Sequence, residues 1–566
     1  MNKKTIVAFL SFLSAGVALG AWYDQPGAIK FVPLATGTSA TEDPHFMNKS
    51  ADDRTLLVNM QASNDNDGPV LLDMAELADP DNDAPAMRKV FAKPSAVGGI
   101  HYKGGAISSD LGLAILGSGS ATESCAFLTG EGTGWLKGAN VYPVNLGNKM
   151  DGLDFGTGST YLYANLYPNG GIARWTVGEK GALSDQVTKP TTSTRVRNVS
   201  VYQVNERELV YYGNGADGTT DGKVYVMDVT DVDAANWAET DLGVALSGVI
   251  TNVKLSNEDT DAPILYALTD NGYLGVYKLA ADGKSVVETI KTFEPAMLKV
   301  LSGVSATTEA KFRNFEVTKD GSTAFLINRV DEHNVFLAVL ANCPYIEMTA
   351  ADQLAIDTGY TPGPDTAVWA DYAFMGINPV EQYFIYEAGG DNSNGNAYFR
   401  PYINGNQTTA AGTRCYAWAL NKSSWQSTGV KVAAGERHQL LLDSLNNKVR
   451  FWTGSAVKEF TPAGARPTKP ATTTLKIGSA SGMGNNFADM RLYRFKIWEK
   501  GELVRNYVPC KKGETVGLYD KVEGLFYANV KNTKNFAAVG AVMSLAEDDA
   551  NNYIESNGSV AYSTDY

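Results

Sequence analysis

The sequence predicts an all-β protein made of two unlike parts, on three observations. Its 566 residues are more than one hydrophobic core ordinarily serves, so two or more domains are expected. It is rich in the residues of pleated sheets and tight turns, with 10% aromatics and 56 glycines against only 19% charged residues. Short apolar runs recur along the first three hundred residues, joined by Asn-Gly, Asp-Gly and Gly-Gly pairs, whereas the last two hundred show longer alternating strands.

The amino terminus carries Lys3 and Lys4, an apolar run from Ile6 to Leu19, and small residues at Ala18 and Gly20 before Ala21. That order predicts an export signal over residues 1–20, because the run is too short to span a bilayer and soluble sequence follows it. A secreted, periplasmic or cell-surface location in a bacterium is the expectation. No later apolar run is long enough to cross a membrane, so no membrane insertion is expected after cleavage. The formal charge of −14, about −16 without the two leader lysines, argues against nucleic acid or an anionic membrane as partner.

Residues 21–342 repeat a unit of short strands. It can be followed from Leu153 to Val177, Val196 to Val229, Asn252 to Leu279 and Phe312 to Leu340, with fainter copies from Arg54 to Ala75 and Gly99 to Gly138. Spacings of about forty to sixty residues, with strands too short to stand alone, predict the blades of a β-propeller. A single blade leaves apolar surface bare on both faces, so copies must pack around an axis until the ring closes. Six blades are counted, or seven, and Ile29 to Pro33 can supply the closing strand. The alternative is a string of separate β-sandwiches. Neither a Gly-His…Trp-Asp pairing nor a kelch motif occurs, so the pattern names no propeller family.

From Asp489 to Val530 the pattern becomes that of an antiparallel meander. Tyr493, Phe495 and Ile497 alternate with Arg494, Lys496 and Trp498, Glu499 to Glu502 makes a turn, and Val516 to Tyr519 and Leu525 to Tyr527 follow. Pro509 is expected to end the pairing of its strand. This string resembles the closing strands of concanavalin A-like (LamG-like) jelly-roll domains. An opening segment, Tyr345 to Met348 followed by Ile356-Asp357-Thr358-Gly359, is similar to that family's first strand and turn. The resemblance implies a concanavalin A-like jelly roll over residues 343–541, with an acidic polar tail at 542–566. As to function it implies little, since that sandwich serves as lectin, carbohydrate-binding module, hydrolase and spacer alike.

Hydrolases of that family set two carboxylates on one strand face in a Glu-x-Asp-x-(x)-Glu string, and none occurs between residues 343 and 541. Glu381 and Glu387 are six apart, about 20 Å along a strand, too far to flank one glycosidic bond, and read as solvated charge. Gly-x-Ser-x-Gly is absent too. His101 and His333, in the second and last blades, are the candidates for proton transfer in a propeller channel.

Carbohydrate recognition needs flat aromatic faces for the C–H side of a sugar ring and amides or carboxylates for its hydroxyls. The jelly-roll shortlist is Tyr386, Asp391, Asn394, Tyr398, Tyr402, Asn404 and Trp425, with Tyr398 and Tyr402 alternatively packing inside the sandwich. Asp79, Asp81 and Asp83 present oxygens at alternate positions as a calcium loop would, but Ala84 replaces the turn glycine and Val90 the bidentate Glu. No other cofactor is implied. Four cysteines allow three pairings, and Cys343 with Cys510 is the expected one, joining a first and a late jelly-roll strand. The reading that results is an exported, non-catalytic recognition or adhesion protein whose partner is glycan or a surface protein. The alternatives are a carbohydrate-active hydrolase or lyase centred in the propeller, and a structural surface protein.

Overall fold

The computed structural model describes most of the chain from residue 21 to 545; residues 1–20, 546–566 and internal stretches, among them 37–42, 62–68, 90–101, 130–140, 302–310, 331–333, 376–382, 390–394, 409–413 and 421–425, lie outside the described residues. The export signal and most of the tail therefore fall outside them, as do His101, His333, Asp391, Asn394 and Trp425. Six four-stranded antiparallel sheets occupy the first part. Blade 1 runs Asp43–Lys49, Thr55–Gln61, Val70–Asp73, Met87–Lys89, and blade 2 Tyr102–Ser108, Leu113–Ser118, Ser124–Leu128, Val141–Val144. Blade 3 is Leu153–Phe155, Tyr161–Asn165, Ile172–Val177, Leu183–Lys189, and blade 4 Val196–Val204, Arg207–Asn214, Asp221–Asp228, Ala238–Ser247. Blade 5 is Ile250–Ser256, Ile264–Thr269, Leu274–Leu279, Val286–Phe293.

Blade 6 takes Lys311–Val317, Thr323–Arg329 and Asn334–Asn342 from its own stretch, and its outer strand from the amino terminus, Pro26–Thr36. The expected closing strand is thus the one used, and the ring has six blades. First strands of successive blades touch one another, blade 6 back to blade 1. These inner strands surround the axis.

Packing explains why the second and third strands of each blade read as unbroken apolar runs. A blade is covered on both faces, so alternate residues go to opposite seams: Leu57 packs between blades 1 and 2, while Leu56 and Val58 pack between blades 6 and 1. Six hydrophobic clusters fill the six seams in this way. Where a neighbouring blade's side chain presses on the inner strand, glycine makes the room: at Gly105 an added Cβ would lie 2.2 Å from the Phe46 ring. Lys30 of the closing strand is buried, and its ammonium caps the carbonyls of Glu76 and Asp79 at 2.9 and 2.7 Å, at the end of a short helix, Met74–Ala78, in blade 1.

The second part is a β-sandwich of two main sheets, with a short third sheet of Ile356–Asp357, Lys476–Ile477 and Tyr386–Glu387. Its large sheet orders Ala456–Phe460, Lys448–Thr453, Arg437–Asp443, Thr366–Phe374, Met490–Glu499, Glu502–Lys512, Thr515–Asp520 and Leu525–Tyr527. The opposing sheet holds Tyr383–Phe384, Phe399–Thr408, Arg414–Leu420 and Gln426–Lys431, and one core cluster takes residues from both. The last four strands of the large sheet are the meander expected from the alternation. Pairing continues past Pro509, which faces Leu518 in register, because a missing N–H costs a strand at most one bond on one side. Met543–Leu545 adds a parallel strand beside Glu502–Lys512, so pairing extends beyond residue 541.

Two expectations are corrected here. Cys343 and Cys510 are both buried free thiols, not a disulfide. The first strand, Tyr345–Met348, pairs with Met490–Glu499 rather than with the strand that carries Cys510, and Cys343 donates instead to the Gly27 carbonyl at 3.4 Å. Glu387 is no solvated charge: it is buried and forms an ion pair with Arg400.

The two parts meet at Gly27. Arg437, buried in the sandwich, binds both oxygens of Asp371 at 2.7 and 2.5 Å and lies 4.1 Å over the Tyr493 ring. Tyr493 packs on the seam between blades 6 and 1, and a Cβ at Gly27 would fall 2.6 Å from the Arg437 guanidinium. Removing Pro26–Thr36 is therefore expected to open the ring and expose the same seam, read as loss of the cooperative thermal transition. Leu57→Ala, within the intact ring, is expected to cost about 2–5 kcal/mol in denaturant unfolding.

Candidate functional site

Each inner strand alternates between its two seams, and the choice of residue follows a single rule around the ring. Met47, Ile107, Phe155, Val201, Leu255 and Phe315 pack into the seam with the preceding blade. The residues beside them, Asn48, Ser108, Asp154, Tyr202, Lys254 and Glu316, fall on the opposite side, toward the following blade and the axis. Six inner strands ending together so close would leave backbone groups without partners, and Asn48 and Asp154 supply partners for some of them.

Asn48 of blade 1 donates to the carbonyls of Gly105 in blade 2 and Leu153 in blade 3, each at 3.2 Å, and to Asp154 at 3.1 Å. Ser108 of blade 2 shares a 2.5 Å hydrogen bond with Ser159 of blade 3. The Asp154 carboxylate accepts from the Val201 amide of blade 4 at 2.8 Å. Lys254 of blade 5 pairs with Glu316 of blade 6 at 2.6 Å, both buried. Lys49, at the end of the blade 1 strand, pairs with Asp53 at 2.5 Å.

Above this layer the turns that leave the inner strands frame a cavity of about 380 Å³. Asn48, Lys49, Asp154, Tyr202, Glu258 and Glu316 line it, with Gln203, Asn205 and Glu206 exposed at its rim. The size lies within the range of small-molecule sites.

Electrostatics at the floor are set by burial. Desolvation pushes the Asp154 carboxyl up to about 6, against the opposing pull of Lys254 and of the donors Val201 and Asn48. Burial acts to lower the Lys49 ammonium, but the Asp53 and Glu316 carboxylates outweigh it and hold it above the usual lysine range. The Tyr202 phenol is raised well above its ordinary value by burial, then by Glu316, so it stays a neutral hydroxyl. The floor thus offers hydroxyl, amide, carboxylate and ammonium groups to a polar ligand, and one acid that changes charge near neutral pH.

The jelly-roll shortlist does not form a site. Tyr386, Tyr398 and Tyr402 are buried, Tyr386 edge-on to Phe495 in the core, so their faces are already covered. Asn404 sits in the strand Phe399–Thr408, and its side chain lies outside the described residues together with Asp391, Asn394 and Trp425. Of the calcium candidates, Asp79 is exposed at the end of the Met74–Ala78 helix, while Asp81 and Asp83 lie outside the described residues. Among the described residues no group of three or more His, Cys, Asp or Glu is placed to hold a metal. The channel residues were missed in the sequence, although some first strands carried a signal: a polar residue interrupts an apolar run in LDF at Leu153–Phe155, VKL at 253–255 and FEV at 315–317.

No family model and no curated protein matches the chain. Among solved structures it is similar to Trypanosoma rangeli sialidase at 10% identity and TM-score 0.35, over 83% of this chain and 94% of that one. It is similar also to the periplasmic gluconolactonase PpgL of Pseudomonas aeruginosa (11% identity, TM-score 0.35, 74% and 98% of the two chains) and to the Dos1 propeller (7%, 0.33, 79% and 98%). Likeness at this level concerns fold and assigns no chemistry.

Two outcomes follow from the floor. The folded pKa of Asp154 stands above its unfolded value near 4, so its stabilising share is complete below about pH 4 and lost as pH rises through about 6. Melting temperature measured from pH 4.5 to 7.5 is expected to fall by more in the wild type than in Asp154→Asn, where that share is gone. Glu316→Gln, which strands the buried Lys254 ammonium, is expected to cost about 3–5 kcal/mol in denaturant unfolding, and the double change Lys254→Met, Glu316→Leu much less.

Proposed function

We propose that this is an exported, non-catalytic recognition protein of a bacterial envelope that binds glycan at the mouth of the propeller axis. What carries the reading is the convergence of six inner strands on one polar cavity, whose Gln203, Asn205, Tyr202 and carboxylate groups suit directed hydrogen bonds to sugar hydroxyls. The resemblance of the carboxy-terminal strands to concanavalin A-like domains supports an extracellular, sugar-facing role. The covered aromatics of the sandwich shift the expected contact from that domain to the propeller. A surface protein is the next partner.

One observation favours a second reading, a carbohydrate-active hydrolase or lyase. Asp154 is a buried acid titrating near 6, and Glu316 lines the same cavity, so the mouth holds two carboxyl groups in unlike environments. The full chain, tested on a glycan array and for release of reducing sugar, separates the two. Retention without turnover is expected, with at least tenfold weaker binding in Gln203→Trp, which fills the exposed rim. Turnover that Asp154→Asn abolishes would replace the first reading by the second.

A further inference from the structure

The mouth has a neighbour. On the same face a second, more open cavity of about 630 Å³ lies between the first turns of blades 5 and 6 and the Met74–Ala78 helix of blade 1. Its floor is apolar, built from Met74, Ala75 and Ala78, and its rim carries short polar side chains, Asn257, Thr318 and Ser322. Lys319 lines both cavities, and Asp53 joins their floors: one oxygen pairs with Lys49 in the mouth, and the other accepts the Lys319 amide at 2.6 Å.

Asp53 and Asn257 both sit in the left-handed region, at φ +56° and +54°, which costs energy for any residue but glycine. Asp53 accepts the Lys319 amide and the Lys319 carbonyl accepts the Asn257 amide at 2.6 Å, so the three turns are tied together along the saddle between the cavities.

The lining selects a ligand class. Peptides anchor through large apolar or aromatic side chains in deep pockets, and neither cavity offers one. An apolar floor inside a rim of hydroxyls and amides matches the C–H face and hydroxyl edge of a sugar, here with aliphatic side chains in place of the aromatic faces sought in the sequence. Five carboxyl groups line the mouth and Asp53 and Asp320 line the outer cavity, against Lys49 and Lys319 in the lining and Lys254 beneath Glu316. An anionic sugar would meet net repulsion.

We propose that the two cavities are consecutive subsites for a neutral oligosaccharide, one end seated in the mouth and the next units crossing the Asp53–Lys319 saddle onto the Ala75 floor. This rests on the glycan-recognition reading and adds to it both the length and the charge of the ligand.

The test is calorimetric titration of the full chain with gluco-, manno- and galacto-oligosaccharides of one to six units, and with the corresponding uronic-acid oligomers. In the series that binds, affinity is expected to rise at least tenfold between one unit and four, with the uronic-acid oligomers at least tenfold weaker. Ala75→Trp, at an exposed helix position on the outer floor, is expected to erase that gain while leaving monosaccharide affinity and melting temperature unchanged. Should Ala75→Trp lower the melting temperature, Ala78→Gln narrows the same floor and must reduce the gain. Affinity independent of length, a gain untouched by either variant, or preference for the uronic acids would overturn the proposal and leave recognition at the mouth standing. Failure of every sugar, single units included, would overturn both.

Discussion

Everything in the propeller depends on how six inner strands end side by side without stranding their backbone polar groups. A strand at the axis has one hydrogen-bonding edge with no neighbour, and water cannot reach most of it. In four of the blades a side chain of the inner strand reaches across to another blade: Asn48 to backbone carbonyls of blades 2 and 3 and Asp154 to the Val201 amide, with Ser108 to Ser159 and Lys254 to Glu316 adding side-chain links. Each bond crosses a seam, so the same layer that satisfies the strands also fixes the blades relative to one another. The cavity above it exists because that layer is polar and cannot close over as an apolar core would.

Closure and the second domain are coupled through one strand. Pro26–Thr36 completes blade 6, its Lys30 caps the helix of blade 1, and its Gly27 receives Cys343 and the Arg437 guanidinium of the sandwich. A buried Arg–Asp pair is costly to desolvate and repays that cost only with good geometry, here two direct bonds and an aromatic face. The sandwich is therefore seated on the propeller where its ring is joined, rather than tethered by a linker.

The placement of buried charge has a consequence for both readings of function. Asp154, Lys254 and Glu316 lie within one layer, and their energies are linked through each other's charges. Any ligand that alters the hydration of the mouth alters that balance. A polar pocket built on such a floor responds to pH through Asp154 while Tyr202 stays a neutral donor.

By itself the sequence determined the strand content, the repeat, the closing strand and the terminal meander, because each rests on local periodicity that packing then reinforced. Tyr493, Phe495 and Ile497 read as one face of a strand; Phe495 and Ile497 do enter the sandwich core, while an irregularity between the Arg494 and Leu492 pairs puts Leu492 there in place of Tyr493, which packs on the propeller seam. Only the tertiary structure decided the site. Asn48, Asp154, Tyr202, Lys254 and Glu316 span more than two hundred and fifty residues and carry no common motif, so nothing local marks them as neighbours. Likewise the aromatics of the jelly-roll shortlist have the composition of a sugar site, and Tyr386, Tyr398 and Tyr402 are sheet-covered because which face of a strand is buried depends on the partner sheet. The pairing of Tyr345–Met348 with Met490–Glu499, a choice among strands that spacing cannot make, is what left Cys343 and Cys510 apart as thiols.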